Sequence, residues 1–301
     1  METVAIFGVG LIGGSFALAL RKAGFAGRII GVGAGGGVSS EPTIRAALDA
    51  RVIDEALPPR QAAGLADLVY LAQPIHRIAD CLEELDSWVR PGTLITDAGS
   101  TKKLIVQTAS QKIIRGRFLG GHPMAGRERR GVQAAEADLF QGRPYVLTPR
   151  SPVDLENPMA REFLDWITRI GSFPIILDAE THDQTVAFTS HLPQLVSTAL
   201  GALLEERLDH PTRVYGPALV DSTRLALSPF DIWRDIFDTN RDAIRFALQS
   251  YIAKLEEFRM ALDQPLEAAS DWPKDRFADS HSIGRAFDAA ARFATRLRDV
   301  P

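Results

Sequence analysis

Within the 301-residue chain, the residues best suited to chemistry are a glycine loop, a serine and a few histidines. Gly8-Val9-Gly10-Leu11-Ile12-Gly13 follows an apolar run, Val4 to Phe7, and leads into a helical pattern. In that setting the spacing carries a mechanism. Gly8 permits a tight turn, and Gly10 lets the backbone approach a pyrophosphate. Gly13 packs helix on strand, and the helix N-terminus, opening with Leu11 and Ile12, faces the phosphate charge. The acidic residue that usually ends the second strand is missing, and Val32-Gly33-Ala34 stand there instead. A carboxylate at that point bonds the 2′-OH of NAD and repels the 2′-phosphate of NADP. The expected cofactor is therefore NADP or NAD, with Ser39, Ser40 and Arg45 as candidate phosphate contacts. Glu41 is the residue that could restore a preference for NAD.

Ser100, in Asp97-Ala98-Gly99-Ser100-Thr101-Lys102, sits where a later strand ends, the edge of an open α/β sheet at which ligands bind. It could aim a hydroxyl at substrate or nicotinamide, cap the helix beginning near Lys102, or do both. His122 lies in Gly120-Gly121-His122-Pro123-Met124-Ala125-Gly126, read as a loop after a short strand. A histidine titrates near neutrality and can take a proton from an alcohol as a hydride leaves. His191, before Pro193, is either aimed into a cleft by a proline kink or is a core histidine. Arg224 lies among apolar neighbours, where a buried carboxylate of the substrate or of the protein could pair with it. Asp221, nearby, could pair with a substrate ammonium or cap a turn.

The elements that must position these residues fall into two kinds. Short apolar runs at 4–7, 28–32, 67–72, 93–97, 144–147 and 173–176 alternate with helical patterns at 15–23, 78–89 and 159–170. That alternation indicates a parallel sheet covered on both faces. After about residue 178 strand-like runs vanish. Helices are expected over 182–206, with a kink at Pro193, over 230–262 as one long element, and over 283–298. The fold class is α/β: an N-terminal Rossmann-type doubly wound sheet, residues 1–178, with an all-α C-terminal dimerisation domain, residues 179–301. Helical halves this poor in turns bury apolar faces against a partner, so a homodimer is expected.

Composition sets bounds. Lys and Arg number 34 against 38 Asp and Glu, a formal charge of −4, which argues against a nucleic-acid binder. One cysteine, Cys81, excludes a disulfide framework and a Cys-rich zinc site, and no metal site is expected. No apolar run approaches the ~20 residues of a membrane span, and no signal peptide is read at the N-terminus. The expectation is a cytoplasmic enzyme with a small-molecule substrate and no membrane partner.

The glycine loop continuing to Gly14-Ser15, the Asp97–Lys102 segment, Gly121-His122-Pro123-Met124-Ala125-Gly126, Thr181-His182-Asp183, Ser190-His191-Leu192-Pro193 and Trp233-Arg234-Asp235-Ile236-Phe237 occur in that order. With them the chain resembles the prephenate dehydrogenase family, which includes arogenate and cyclohexadienyl dehydrogenases of tyrosine biosynthesis. The resemblance implies oxidative decarboxylation of prephenate to 4-hydroxyphenylpyruvate, with arogenate as the alternative substrate. It implies that His122 accepts the C4 hydroxyl proton and that Ser100 orients that hydroxyl and the nicotinamide. It further implies that His191 and Arg224 bind substrate carboxylates, with Glu128 an acidic residue near the cleft. The family's dimer is built through the helical domain. With its end at Pro301, the chain is expected to carry no appended regulatory domain, and no chorismate mutase segment in front. Two rivals remain: a β-hydroxyacid dehydrogenase, whose catalytic lysine early in the helical domain has no counterpart between Lys112 and Lys254, and a cofactor-binding regulator without catalysis.

Overall fold

The computed structural model describes residues 1–33, 42–127, 129–208, 213–263 and 282–299. Eight strands form one sheet: β1 (Thr3–Phe7), β2 (Arg28–Val32), β3 (Glu55–Ala56), β4 (Leu68–Leu71), β5 (Leu94–Asp97), β6 (Arg117–Pro123), β7 (Pro144–Thr148) and β8 (Phe173–Ile176). Their order is β3-β2-β1-β4-β5-β6-β7-β8, doubly wound about β1 and β4. Most of β1 and all of β4 and β5 are buried residue after residue, as strands covered on both faces must be.

The helices are α1 (Leu11–Lys22), α2 (Pro42–Asp49), α3 (Pro59–Leu65), α4 (Ile75–Trp88), α5 (Lys103–Lys112), α6 (Pro158–Arg169), α7 (Ala179–Val186), α8 (Leu192–Arg207), α9 (Pro217–Thr223), α10 (Phe230–Thr239), α11 (Arg241–Leu262) and α12 (Ser282–Arg298). Phe16 of α1 stacks on Tyr70 of β4 with centroids 4.0 Å apart, and Phe163 of α6 meets Tyr145 of β7 edge-on at 6.0 Å. These rings, with Val4, Ile6 and Leu20, form the core under the glycine loop.

By its internal contacts the chain separates into two compact units, residues 1–244 and 245–301. The first holds the whole sheet and α1 to α10. The second is helical, and Phe246, Ile252, Leu255, Phe287, Phe293 and Leu297 are exposed in it.

Four sequence expectations need correction. The sheet is mixed, because β7 runs antiparallel to β6, with His122 opposite Val146. His122 is accordingly a strand residue, not a loop residue. The glycines before it serve close packing instead of a turn: a Cβ on Gly121 would lie 2.6 Å from the Asp97 carbonyl oxygen. The long helix expected over 230–262 breaks at Asn240, whose side-chain amide donates to the Asp183 carbonyl at 2.8 Å. Finally, no kink is needed at Pro193. A π-helical segment, Ala187–His191, joins α7 to α8, and Pro193 falls in the first turn of α8, where its missing N–H costs least.

Candidate active site

The glycine loop has the geometry of a phosphate cradle. Gly8 has φ +93°, and a Cβ there would sit 2.7 Å from the Ala72 carbonyl oxygen, so only glycine fits the turn. A Cβ on Gly13 would lie 2.2 Å from the Gly8 carbonyl oxygen, which shows how tightly α1 is drawn onto β1. At Gly10, by contrast, an added Cβ meets nothing within 4 Å. The N-terminus of α1 has no side-chain cap and no acidic residue in its first turn. Its first amides and positive dipole end are thus left to an anion. These features fit a dinucleotide pyrophosphate. Ser39, Ser40 and Glu41 lie outside the described residues, and Arg45 is an exposed residue of α2.

A cavity of about 390 Å³ opens at this N-terminus. Leu11 and Ile12 form one side, and Gly99 and Ser100 another. Ser100 is not the cap of α5. The amides of Lys102 and Lys103 are capped by the Asp183 carboxylate, at 2.7 and 2.9 Å, and Ser100 lines the cavity. Three residues that sequence reasoning passed over, Arg127, Arg129 and Arg130, put positive charge on the wall, and Asp231 and Asp235 put negative charge there. Arg127 pairs with Glu136 at 2.6 Å and Arg130 with Asp231 at 3.4 Å. Glu128 lies outside the described residues.

Behind Gly99 and Ser100 is a buried polar cluster. Lys102 and Asp97, both without solvent exposure, form an ion pair. The Lys102 ammonium also donates to the Gly121 carbonyl at 2.7 Å. Asp97 accepts from the amides of Gly99 at 2.8 Å and Gly121 at 3.0 Å. The end of β5 is thereby clamped to β6 at the residue preceding His122. Burial lowers the Lys102 pKa, against the pull of Asp97 and Asp183.

His122 Nδ1 lies 2.9 Å from His182 Nε2, and His182 Nδ1 lies 2.7 Å from Asp183 Oδ1. His182 and Asp183 are buried on α7. Burial, and after it the electrostatic effect of the neighbouring His182, Lys102 and His191, holds the His122 pKa well below 6.5, so its imidazole is neutral at pH 7. His191 is buried too. Its Nδ1 faces the Asn240 amide at 3.3 Å and its ring meets Trp233 edge-on at 5.9 Å. Burial pushes its pKa down to about 4, so it is a neutral hydrogen-bonding group at pH 7.

Sequence-selected residues thus gather as two adjoining groups, the cavity with Ser100 and the cluster with His122 and His191. Arg224 joins neither among the described contacts. It is exposed, not buried among apolar neighbours, on a short 3₁₀ turn held to α8 by Gln194 and Ser197. Asp221 is likewise exposed. Among the described residues, no group of three or more His, Cys, Asp or Glu could hold a metal ion, and no helix is long and apolar enough to cross a membrane.

Comparison with known proteins bears on both halves. Residues 16–164 match the family model described as prephenate dehydrogenase, nucleotide-binding domain, and residues 178–272 match prephenate dehydrogenase, dimerization domain. The chain is 33% identical over 274 residues to a prephenate dehydrogenase of Bacillus subtilis, covering 87% of this chain and 71% of that protein. It is similar to the crystal structure of a prephenate dehydrogenase from A. aeolicus in complex with hydroxyphenyl propionate and NAD+, at TM-score 0.77 and 27% identity, covering 99% and 96% of the two chains. A Synechocystis arogenate dehydrogenase matches at TM-score 0.76 and 27% identity, over 98% and 99%.

Proposed function

The chain belongs to the prephenate dehydrogenase family, and from that premise we propose that it converts prephenate to 4-hydroxyphenylpyruvate, with release of CO2, in tyrosine biosynthesis. The observation that carries the reading is the neutral, hydrogen-bonded His122 clamped beside the segment that brings Ser100 to the cavity at α1. NAD or NADP, when bound, supplies the hydride acceptor. Residues Gly8 to Gly13 hold its pyrophosphate, with the amides of Leu11 and Ile12 at the helix start.

The protein's own part is positioning and proton transfer. Ser100 orients the C4 hydroxyl, and His122 takes that hydroxyl's proton as the C4 hydride leaves. Loss of the ring carboxylate as CO2 then sends its electron pair into the ring, and the proton on His122 returns to the oxygen of the aromatic product. The atoms balance without an added acid. His191, Arg224 and Glu128 are assigned to substrate binding, the first two to the substrate carboxylates. The arginines on the cavity wall add positive charge for a carboxylate or a phosphate.

Arogenate is the second reading, because Asp231 and Asp235 on the same wall offer carboxylates to its ammonium. The functional boundary is placed at 178/179, with the helical part after it making a homodimer. The exposed Phe246, Ile252, Phe287 and Phe293, together with the matched dimerization domain, support that assembly. A cytoplasmic setting goes with this role. Steady-state kinetics with both substrates crossed with both cofactors decides among these assignments. Turnover with neither substrate refutes the reading. His122→Asn is expected to lower kcat by ~10²–10⁴-fold with cofactor affinity intact, and near-normal turnover removes His122 from the mechanism.

A further inference from the structure

We infer that His182 and Asp183 are positioning residues that determine which ring nitrogen of His122 acts as the base. The inference rests on the reading of His122 as the proton acceptor and follows the hydrogen bonds outward from α5. The Asp183 carboxylate cannot turn, because the amides of Lys102 and Lys103 hold its two oxygens, at 2.7 and 2.9 Å. An ionised carboxylate only accepts. His182 Nδ1, 2.7 Å from Asp183 Oδ1, therefore carries the hydrogen and donates it. A neutral imidazole has one donor and one acceptor, so His182 Nε2 presents a lone pair. His122 Nδ1, 2.9 Å away, must then be the donor of that contact. The lone pair of His122 is left on Nε2.

The chain of dependence runs from a helix N-terminus through two side chains to one nitrogen, and it spans 81 positions of sequence from Lys102 to Asp183. It also sets the ring plane, since His122 is gripped at Nδ1 and held through its backbone by the Lys102 contact to Gly121. When the proton arrives on Nε2, the new imidazolium already donates from Nδ1 toward His182 and the Asp183 charge behind it. No group in the chain has to reorient during the step.

The test compares His182→Phe, which fills a similar volume without an acceptor, with His182→Gln, whose side chain can both accept from His122 and donate to Asp183. Expected for His182→Phe is a 10- to 100-fold fall in kcat with KM for the cofactor unchanged; His182→Gln recovers most of it. In parallel, nitrogen-15 NMR of histidine-labelled wild-type protein at neutral pH is expected to show His122 hydrogenated at Nδ1, and that measurement does not depend on any variant folding. A wild-type His122 hydrogenated at Nε2 overturns the inference. So does loss of turnover in His182→Phe that Gln does not rescue, which marks a merely structural residue. If His122→Asn is inactive while His182→Phe turns over normally, the base assignment stands and the positioning role falls. If both variants turn over normally, the base assignment itself has failed.

Discussion

Replacing Lys102 with methionine removes a buried cation and leaves its partner in place. Neither Lys102 nor Asp97 has any solvent exposure, so water cannot take over for the missing ammonium. Asp97 keeps the amides of Gly99 and Gly121, at 2.8 and 3.0 Å, but its charge is no longer neutralised. The Gly121 carbonyl loses its 2.7 Å donor as well. Breaking a buried pair from one side costs ~3–5 kcal/mol, of which an orphaned carbonyl accounts for ~1–3 kcal/mol. Urea unfolding at fixed protein concentration should therefore show Lys102→Met less stable by about 3–5 kcal/mol. The double variant Asp97→Asn/Lys102→Met, which leaves no unpaired charge, should recover about half of that loss. A single variant within about 1 kcal/mol of wild type would refute the reasoning. It would mean that the clamp between β5 and β6 does not depend on this pair.

Two substitutions in the glycine loop should separate folding from binding. Gly13→Ala, with its Cβ 2.2 Å from the Gly8 carbonyl oxygen, should lower Tm, whereas Gly10→Ala, with nothing within 4 Å, should leave Tm unchanged and weaken cofactor binding at least tenfold by fluorescence titration. Acid sensitivity should be traceable to His191. Its pKa is about 4 folded against 6.5 unfolded, so the unfolded chain binds the extra proton. Stability is then full above pH 6.5 and falls by up to ~3 kcal/mol as pH drops toward 4, and a urea series on His191→Asn should show a flatter profile. Gly33→Asp should shift the kcat/KM ratio toward NAD by ten- to a hundredfold, the worth of one charge-assisted hydrogen bond at ~1.5–3 kcal/mol; an unchanged ratio sinks the 2′-OH argument.

The first half of the fold was legible because its signals are local. A strand, a glycine turn and a helix start lie within ten residues of one another, and the buried strands read as apolar runs. The reversal at β7 was not legible, since direction leaves no mark on an apolar run. The placement of His122 failed for a related reason: glycine and proline signal turns locally, but here Gly121 answers to a close approach by Asp97 on another strand. The His182-Asp183 pair was visible as a motif, yet its contact with His122 lies across 60 positions and its capping of α5 across about 80. The break at Asn240 carries no proline or glycine and exists to serve the Asp183 carbonyl. The exposure of Arg224 was not legible either, because apolar neighbours in sequence do not bury a residue that lies on a short exposed turn.

The π-helical segment Ala187–His191 acts as an angular phase shifter. In an uninterrupted α-helix, nine residues at ~100° each would put His182 and His191 about 180° apart, on opposite sides of the rod. One residue of surplus in the wide turn takes back ~100°, which brings the two imidazoles to within about 80° of each other around the axis. That is how one continuous helical run can send His182 toward His122 and His191 toward Asn240, whose amide also reaches the Asp183 carbonyl. The geometry of this corner is therefore stored in the width of one turn as much as in residue identities. Tightening the wide turn to α-helical geometry with the residue count unchanged would leave every polar side chain of the cluster in the sequence, yet swing His191 and everything after it by ~100° relative to His182.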